Sequence, residues 1–591
     1  MRLNKIKRNL KYFIPLLLKI NPMSIVIMVI VAIVNSIKSI SWVIFPKLII
    51  DNLFYEKDYN ALLVVVIIFI SIQLVCRILD QVLNSINYYI IEKADFDIDK
   101  LFNEKIAKID YFHIEDPKFN DELSYAKKCL SQYTNGIYSV TWAIREFIEN
   151  ILTIISVIGI IIASQQYLII LITGVGVVVN TLFYGKLQKI DEEFNNSLVR
   201  NNRKQWYYGK SMMAFRSQKN LRMFSAENLI NKKSDEVNST VFKVEKETNR
   251  KRNIISSLDI SYSYLFTTLV TILMLSYSVY YKNIQISVFT MIYSAINTLE
   301  GGISSLIYSV KKYYQECLYQ ENFINLMEIE TIFKDGKNEI KEIKSIEFKN
   351  VSFKYPRTDE YVLKNLSFKI EDKQKVSLVG LNGSGKTTII KLICRFFDVN
   401  EGEILINGEN IKSYNYDDYM KCLSIVFQDF KIISFNIKNN IAIIDENKDK
   451  LYDVLQRSQV LDRVLELPDK EETYINKWFN KKGVEFSGGE MQKFAIARAL
   501  YKDADFIVLD EPTSALDPIS ESTIYYHFKE VVGEKLTLFI SHRLSSCIFS
   551  DKIMVLDGYN IIEEGTHKEL MGNPNGLYYK MFKSQAEYYI K

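Results

Sequence analysis

The chain has 591 residues, too many for one hydrophobic core, so at least two domains are expected. Its 74 Lys and Arg against 70 Asp and Glu leave a net charge of +4, too balanced for a nucleic-acid groove, and no nucleic-acid partner is expected. Six cysteines with no CxxC pairing argue against a disulfide framework and read as thiols in a reducing cytosol.

Residues 1–20, which begin MRLNKIKRNLKYF, are basic and amphipathic. The apolar stretch after them lacks a small-residue cleavage site, so they read as a cytoplasmic elbow helix, with no fused leader peptidase expected ahead of them. A membrane span needs about 20 mostly apolar residues, and six segments supply them: 22–48, 61–84, 141–164, 166–186, 256–280 and 285–308. Residues 21–325 therefore read as an α-helical transmembrane domain in a lipid bilayer. The short outer connections carry only Lys57 and Lys282 as bases, whereas the N-terminus and the loops 85–140 and 187–255 are rich in Lys and Arg, which places both termini in the cytoplasm. Those two inner loops keep helical periodicity and read as long cytoplasmic extensions of the six helices. Their tips, 112–123 (FHIEDPKFNDEL) and 219–230 (KNLRMFSAENLI), mix aromatic anchors with charge, as a short docking helix would.

Ionisable residues in or beside the spans are Arg77, Asp80, Arg145, Glu146, Glu149, Asp259 and Glu300. Each costs on the order of 2.5 to 3.5 kcal/mol at the centre of a lipid-facing helix, so they are expected to face protein or water. Pairing of Arg77 with Asp80 one turn away is the plain reading for that pair. Glu300 precedes Gly301 and Gly302, where missing side chains permit close helix approach, and together with Asp259 it is the candidate lining of an acidic substrate cavity.

After a linker at 326–345, residues 346–586 change character to short strands, helices and Gly-rich turns, an α/β nucleotide-binding domain. The apolar run 376–379 leads into Gly380-Leu381-Asn382-Gly383-Ser384-Gly385-Lys386-Thr387-Thr388, which opens a helix. This is a phosphate-binding P-loop: glycines let backbone N–H groups curl around phosphates, Lys386 reaches the β- and γ-phosphates, and the Thr387 hydroxyl ligates Mg²⁺. Downstream, 506–511 (FIVLDE) is a buried strand ending in two carboxylates, Asp510 for the metal and Glu511 as base for the attacking water. His542 ends another apolar strand of the same sheet and is the candidate donor to the γ-phosphate.

Phe486-Ser487-Gly488-Gly489-Glu490 resembles the LSGGQ signature of the ATP-binding cassette family, and with six spans ahead of it the chain looks like a half-transporter of the exporter type over nearly its whole length. The resemblance implies that Tyr355 stacks on adenine, that Gln428 stands at the metal and the membrane-domain interface, and that Ser514, Ala515, Leu516 and Asp517 form the loop joining two sites. It also implies that Ser487, Gly488, Gly489 and Glu490 at one helix N-terminus reach the γ-phosphate of ATP held by another subunit, so that a dimer is needed. Phe486 and Glu490 depart from the Leu and Gln of the family pattern but leave the Ser-Gly-Gly donors intact. Lys481 and Lys482 stand where many exporters carry an acid that touches the inner loops, which puts that coupling contact in question.

The expectation is an ATPase-coupled exporter that uses ATP and Mg²⁺, self-pairs as a homodimer rather than a heterodimer with a second half-transporter, and moves an amphipathic, peptide-like or drug-like solute out of a bacterial plasma membrane. Lipid flipping, uptake through an exporter-like fold, and ATP-gated regulation or channel activity are the alternatives.

Overall fold

A computed structural model describes all residues except Met1, 131–135, Gln166, Ser263, Tyr264, Phe266, Thr267, Asn283, 332–335, Arg357, 513–531, His542 and Lys591. Its contacts divide the chain into two units, Met1–Ala107 with Asp121–Glu328, and Lys108–Asn120 with Ile329–Lys591.

The first unit is helical: α1 (Arg2–Ile20), α2 (Met23–Ile50), α3 (Tyr59–Lys108), α4 (Tyr111–Ile114), α5 (Pro117–Cys129), α6 (Gly136–Ala163), α7 (Tyr167–Met213), α8 (Phe215–Met223), α9 (Glu227–Tyr262), α10 (Val270–Lys282) and α11 (Ile286–Met327), of which α4 and the start of α5 group with the second unit. The 50 residues of α3 measure on the order of 75 Å, more than twice a hydrocarbon core of about 30 Å, so the helix extends well beyond any bilayer it crosses. Among the described residues, Met23–Glu56, Tyr59–Lys108 and Ser139–Ala163 are long and apolar enough to cross a membrane, and Val270–Tyr281 is a shorter apolar helix. Of the expected span 256–280, the described residues fall in the end of α9, in α10 and, at 265, 268 and 269, in π-helical turns. On α3, Leu63, Ile67, Ile70, Leu74 and Ile78 are exposed, as side chains facing lipid are.

Val43, Val157, Ile161, Ala295 and Leu299 bury a core between α2, α6 and α11. Gly302 lets α11 approach α6 closely, since a Cβ there would lie 3.4 Å from Ile154, whereas Gly301 faces open space. Beside this core, polar groups satisfy one another: Asn35 donates to both Asp80 and Glu149 at 3.2 Å, Asn84 donates to Asp80 at 2.8 Å, and Arg145 pairs with Glu146 at 2.8 Å. Asp80 therefore bonds two amides and not Arg77, because two asparagines on its protein side reach it first. The amphipathic α1 is tied to α11 by Lys5–Glu321 and Arg8–Glu328, each 2.6 Å, and by Phe13 against Phe323.

The second unit holds two sheets. β1 (Ile346–Phe353), β2 (Leu363–Ile370), β4 (Glu401–Ile406) and β5 (Glu409–Asn410) form an antiparallel sheet in the order β2-β1-β4-β5. The larger sheet runs β10-β9-β3-β8-β7-β6, from β3 (Lys375–Gly380), β6 (Leu423–Val426), β7 (Phe506–Asp510), β8 (Leu536–Ile540), β9 (Lys552–Asp557) and β10 (Asn560–Gly565). All its neighbours are parallel except β10 with β9. Buried on both faces, β7 and β8 are apolar except for Asp510 and Thr537, as parallel strands between helical layers tend to be. Because β8 lies between β3 and β7, with Ile540 opposite both Leu378 and Asp510, the carboxyl ends of these strands open on one edge. That edge is where open α/β sheets bind ligands.

Candidate nucleotide-binding site

At the end of β3 the chain turns through Gly383 (φ +81°) and Gly385 (φ +101°) into α12 (Lys386–Ile393). Gly385 is required twice: its backbone is left-handed, and a Cβ would lie 2.9 Å from Leu363. No side chain caps α12, so its N-terminal N–H groups are left to the loop they open into. Lys386 is 6 % exposed and donates to the Gly380 and Leu381 carbonyls, each at 2.9 Å, which folds the ammonium across the loop. Burial lowers its pKa, against the opposing pull of the Glu511 and Asp510 carboxylates. The buried Ser384 hydroxyl has no hydrogen-bond partner among the described residues. A strongly polar, glycine-lined turn with an unpaired buried hydroxyl and a sequestered ammonium fits a polyphosphate.

Asp510 and Glu511 stand at the end of β7. Burial pushes the Asp510 carboxyl up to about 6, with the Glu511 charge adding to the shift and Lys386 opposing it. Glu511 has a left-handed backbone (φ +49°) that is rare for a non-glycine residue and costs on the order of 1 to 3 kcal/mol. Three bonds hold it there: its N–H donates to Ile540 O at 2.9 Å, its carbonyl accepts from Gln492 Nε2 at 3.1 Å, and its carboxylate accepts from Gln428 Nε2 at 3.0 Å. The hydroxyl of Thr387, the amide of Gln428 and the carboxylate of Asp510 are hard oxygen donors of the kind Mg²⁺ takes beside phosphate.

Tyr355 lies in an aromatic box, edge-on to Phe353 at 5.1 Å and to Phe397 at 5.4 Å, with its hydroxyl 3.0 Å from that of Thr388. It lines a cavity of about 460 Å³ together with Phe112, Lys354, Pro356 and Asp398. Within the same unit, the segment 108–120 is anchored by Tyr111 stacked on Phe396 at 4.5 Å and by Glu115 paired with Lys391 at 2.6 Å. Hydrogen bonding to Glu115 raises the Lys391 pKa despite the burial that acts against it.

Ser487 is the N-cap of α17 (Gly488–Lys502). Its hydroxyl accepts from Glu490 N at 3.2 Å, while Glu490 Oε2 accepts from Ser487 N at 2.7 Å and from the Ser487 hydroxyl at 2.8 Å, a complete capping box. The other carboxylate oxygen accepts from Arg463 Nε at 3.0 Å. Although burial acts to raise it, the Glu490 pKa is lowered by these bonds from Ser487 and Arg463. Just upstream, Trp478 and Phe479 are strongly exposed beside the exposed Lys481 and Lys482.

The structure brings Lys386, Asp510, Glu511 and Gln428 within electrostatic or hydrogen-bonding reach of one another, and Tyr355 to Thr388 of the same loop. Ser487 to Glu490 form a separate helix end. His542 and Ser514, Ala515, Leu516 and Asp517 lie outside the described residues. In the helical unit, Asp259 has a buried carboxylate oxygen without a hydrogen-bond partner among the described residues and lies close enough to Glu300 and Tyr184 for its charge to act on both. The sequence reading missed Gln492, Lys391, Tyr111, Glu115 and Arg463. None belongs to a phosphate or signature motif, and only the charge and aromatic content of the tip 112–123 pointed toward one of them.

The family described as ABC transporter matches residues 363–514. Over 557 residues the chain is 27% identical to the subtilin transport ATP-binding protein SpaT of Bacillus subtilis, covering 92% of this chain and 89% of that protein. It is 33% identical over 309 residues to the ATP-dependent lipid A-core flippase of Mannheimia succiniciproducens, covering 52% of each, and 35% identical over 305 residues to the mitochondrial iron-sulfur clusters transporter ATM1 of Saccharomyces cerevisiae, covering 48% of this chain and 43% of that protein. For these last two, the chain spans about half the length of the relative. A solved bacterial Atm1-family ABC exporter with ATP bound superposes with a TM-score of 0.77 at 22% identity, covering 96% of this chain and 98% of that one, which establishes the fold.

Proposed function

The chain belongs to the ATP-binding cassette family and has the fold of its exporters; on that premise we propose that it is an ATPase that drives an amphipathic, peptide-like solute outward across a bacterial plasma membrane. The observation that carries the reading is the shared edge of one sheet, where the loop around Lys386 and the Asp510–Glu511 strand end converge, in a chain whose other unit supplies membrane-spanning helices.

ATP is the substrate of the soluble unit. The loop from Gly380 to Thr388 offers backbone N–H groups and the Lys386 ammonium to its phosphates, and Tyr355 offers a ring face to adenine. Thr387, Gln428 and Asp510 would hold Mg²⁺, which when bound would neutralise phosphate charge. Glu511, held in place by Gln428 and Gln492, orients the attacking water and takes its proton. To His542 we assign, from the family pattern alone, the role of donor to the γ-phosphate, and to Ser514, Ala515, Leu516 and Asp517 that of coupling the two sites. The Ser487 helix end adds donors to a nucleotide held by a second copy, so the working unit is a homodimer. Closure of the dimer on ATP and release after hydrolysis switch the membrane unit between inward- and outward-open states.

For the cargo, Asp259 and Glu300, with Tyr184 and Tyr308 nearby, favour a solute with cationic and apolar parts. Similarity over nearly the whole length to a protein named for subtilin transport, against about half the length for the flippase and ATM1, favours the peptide-like class. Inside-out vesicles containing the chain should accumulate a cationic amphipathic peptide only with ATP, and Glu300→Gln should lower that uptake several-fold while unstimulated ATPase persists. Equal uptake by the variant would remove Glu300 from the cavity, and peptide-independent ATPase with no uptake would overturn the export reading.

A further inference from the structure

The signature helix carries a bond pattern that the proposed mechanism does not use. A serine hydroxyl has one proton. In Ser487 that proton points back to Glu490 Oε2 at 2.8 Å, and a phosphate oxygen approaching α17 from a second copy needs the same proton. The competitor is a carboxylate, so it also places a negative charge at the helix end that an anion must approach, working against the helix dipole. Arg463, on the short helix Leu461–Leu465, meets this carboxylate through its second oxygen at 3.0 Å. Among the described residues, the one other acid paired with Arg463 is Glu466, at 3.5 Å and largely exposed, so the guanidinium is directed mainly to Glu490.

We infer that Arg463 is a positioning residue of the ATPase: by sharing the Glu490 charge it weakens the carboxylate's hold on the Ser487 hydroxyl and lets that hydroxyl turn to the phosphate of the partner-held nucleotide. The inference deepens the reading of Ser487 as the closure of a second copy's site and rests on it. A structural role alone predicts something different. Arg463 is about 41% exposed, and the capping box survives a Gln in place of Glu490, so neither side chain is needed to hold α17 in place.

The test is a double-substitution cycle in the full-length chain, reading ATPase kcat and KM separately. Arg463→Gln should raise KM for ATP roughly two- to fivefold, the range of a partly exposed charge pair, with kcat little changed. Arg463→Lys, which keeps the charge, should restore most of the loss. Glu490→Gln should lower KM or leave it unchanged, and Arg463→Gln added to Glu490→Gln should have no further effect. The inference is overturned if Arg463→Gln leaves KM unmoved, if it raises KM equally with Glu490→Gln present, or if it lowers kcat and the nucleotide-free melting temperature together. Gly488→Asp in the same assay separates the two levels. If it leaves the ATPase intact, the signature reading itself fails; if it abolishes the ATPase while Arg463→Gln does nothing, only the role of Arg463 fails.

Discussion

Two helix N-termini in the second unit are those proposed to meet phosphate, and they are prepared in opposite ways. α12 has no side-chain cap, opens from a left-handed glycine, and keeps an unpaired hydroxyl and a folded-in ammonium at its tip. α17 is closed by its own residues, with Ser487 and Glu490 satisfying each other and Arg463 satisfying the remainder. Their carboxylates differ in the same sense. Burial pushes Asp510 up to about 6, whereas bonds from Ser487 and Arg463 outweigh burial at Glu490 and lower it. A tip left uncapped offers its donors to an anion at once, whereas a self-satisfied tip can release its donors only when a better acceptor arrives. The first grips, and the second responds.

The largest expected effect lies beside the gripping end. Glu511→Gln should lower turnover by roughly 10²- to 10⁴-fold while ATP binding persists, measured by phosphate release and by retention of labelled nucleotide. Turnover near the starting rate would take Glu511 out of the role of base. Next, Gly385→Ala forces a Cβ into a left-handed turn 2.9 Å from Leu363 and should cost about 2 kcal/mol or more in nucleotide binding. Gly488→Ala, at a helical position without a left-handed backbone, adds no backbone strain and should cost clearly less in nucleotide binding than Gly385→Ala. Equal losses at the two glycines would erase the contrast.

A smaller effect concerns stability without nucleotide or metal. Because the folded chain holds the Asp510 proton more tightly than the unfolded chain does, the stabilising contribution is full below the usual carboxylate range and is lost as pH rises through about 6. Asp510→Asn should therefore melt several degrees above the parent at pH 7.5 and at nearly the same temperature at pH 4.5, even as ATPase is lost. Glu490, whose pKa is lowered, has the opposite sign: its contribution is present above the usual range and fades on acidification.

Much of this was legible in the residues because the phosphate loop is local chemistry: strand, glycines, lysine and helix follow one another from Val376 to Ile393, and no tertiary information is needed to read them. That Ser487 opens a helix was legible for the same reason, whereas its capping box with Glu490, three residues on, was drawn only from the structure. Arg463 was not legible, since its partner is 27 residues away and an Arg on a short helix has no pattern of its own. Nor was the grouping of residues 108–120 with the soluble unit, which rests on Tyr111 meeting Phe396 and Glu115 meeting Lys391, across 285 and 276 positions of sequence (396 less 111, 391 less 115). The bond of Asp80 to Asn35 and Asn84, in place of a local pair with Arg77, shows the same limit inside the helical unit.

The central claim is that the gripping tip of one copy meets the responding tip of another. Asn382 and Ser487 are both exposed, and all six native cysteines are buried, so Asn382→Cys with Ser487→Cys gives a clean pair for oxidative cross-linking. With ATP trapped by Glu511→Gln, the pair should form a disulfide between chains and run at the mass of a dimer on a non-reducing gel. A cross-link within one chain, or none with ATP bound, would contradict the account.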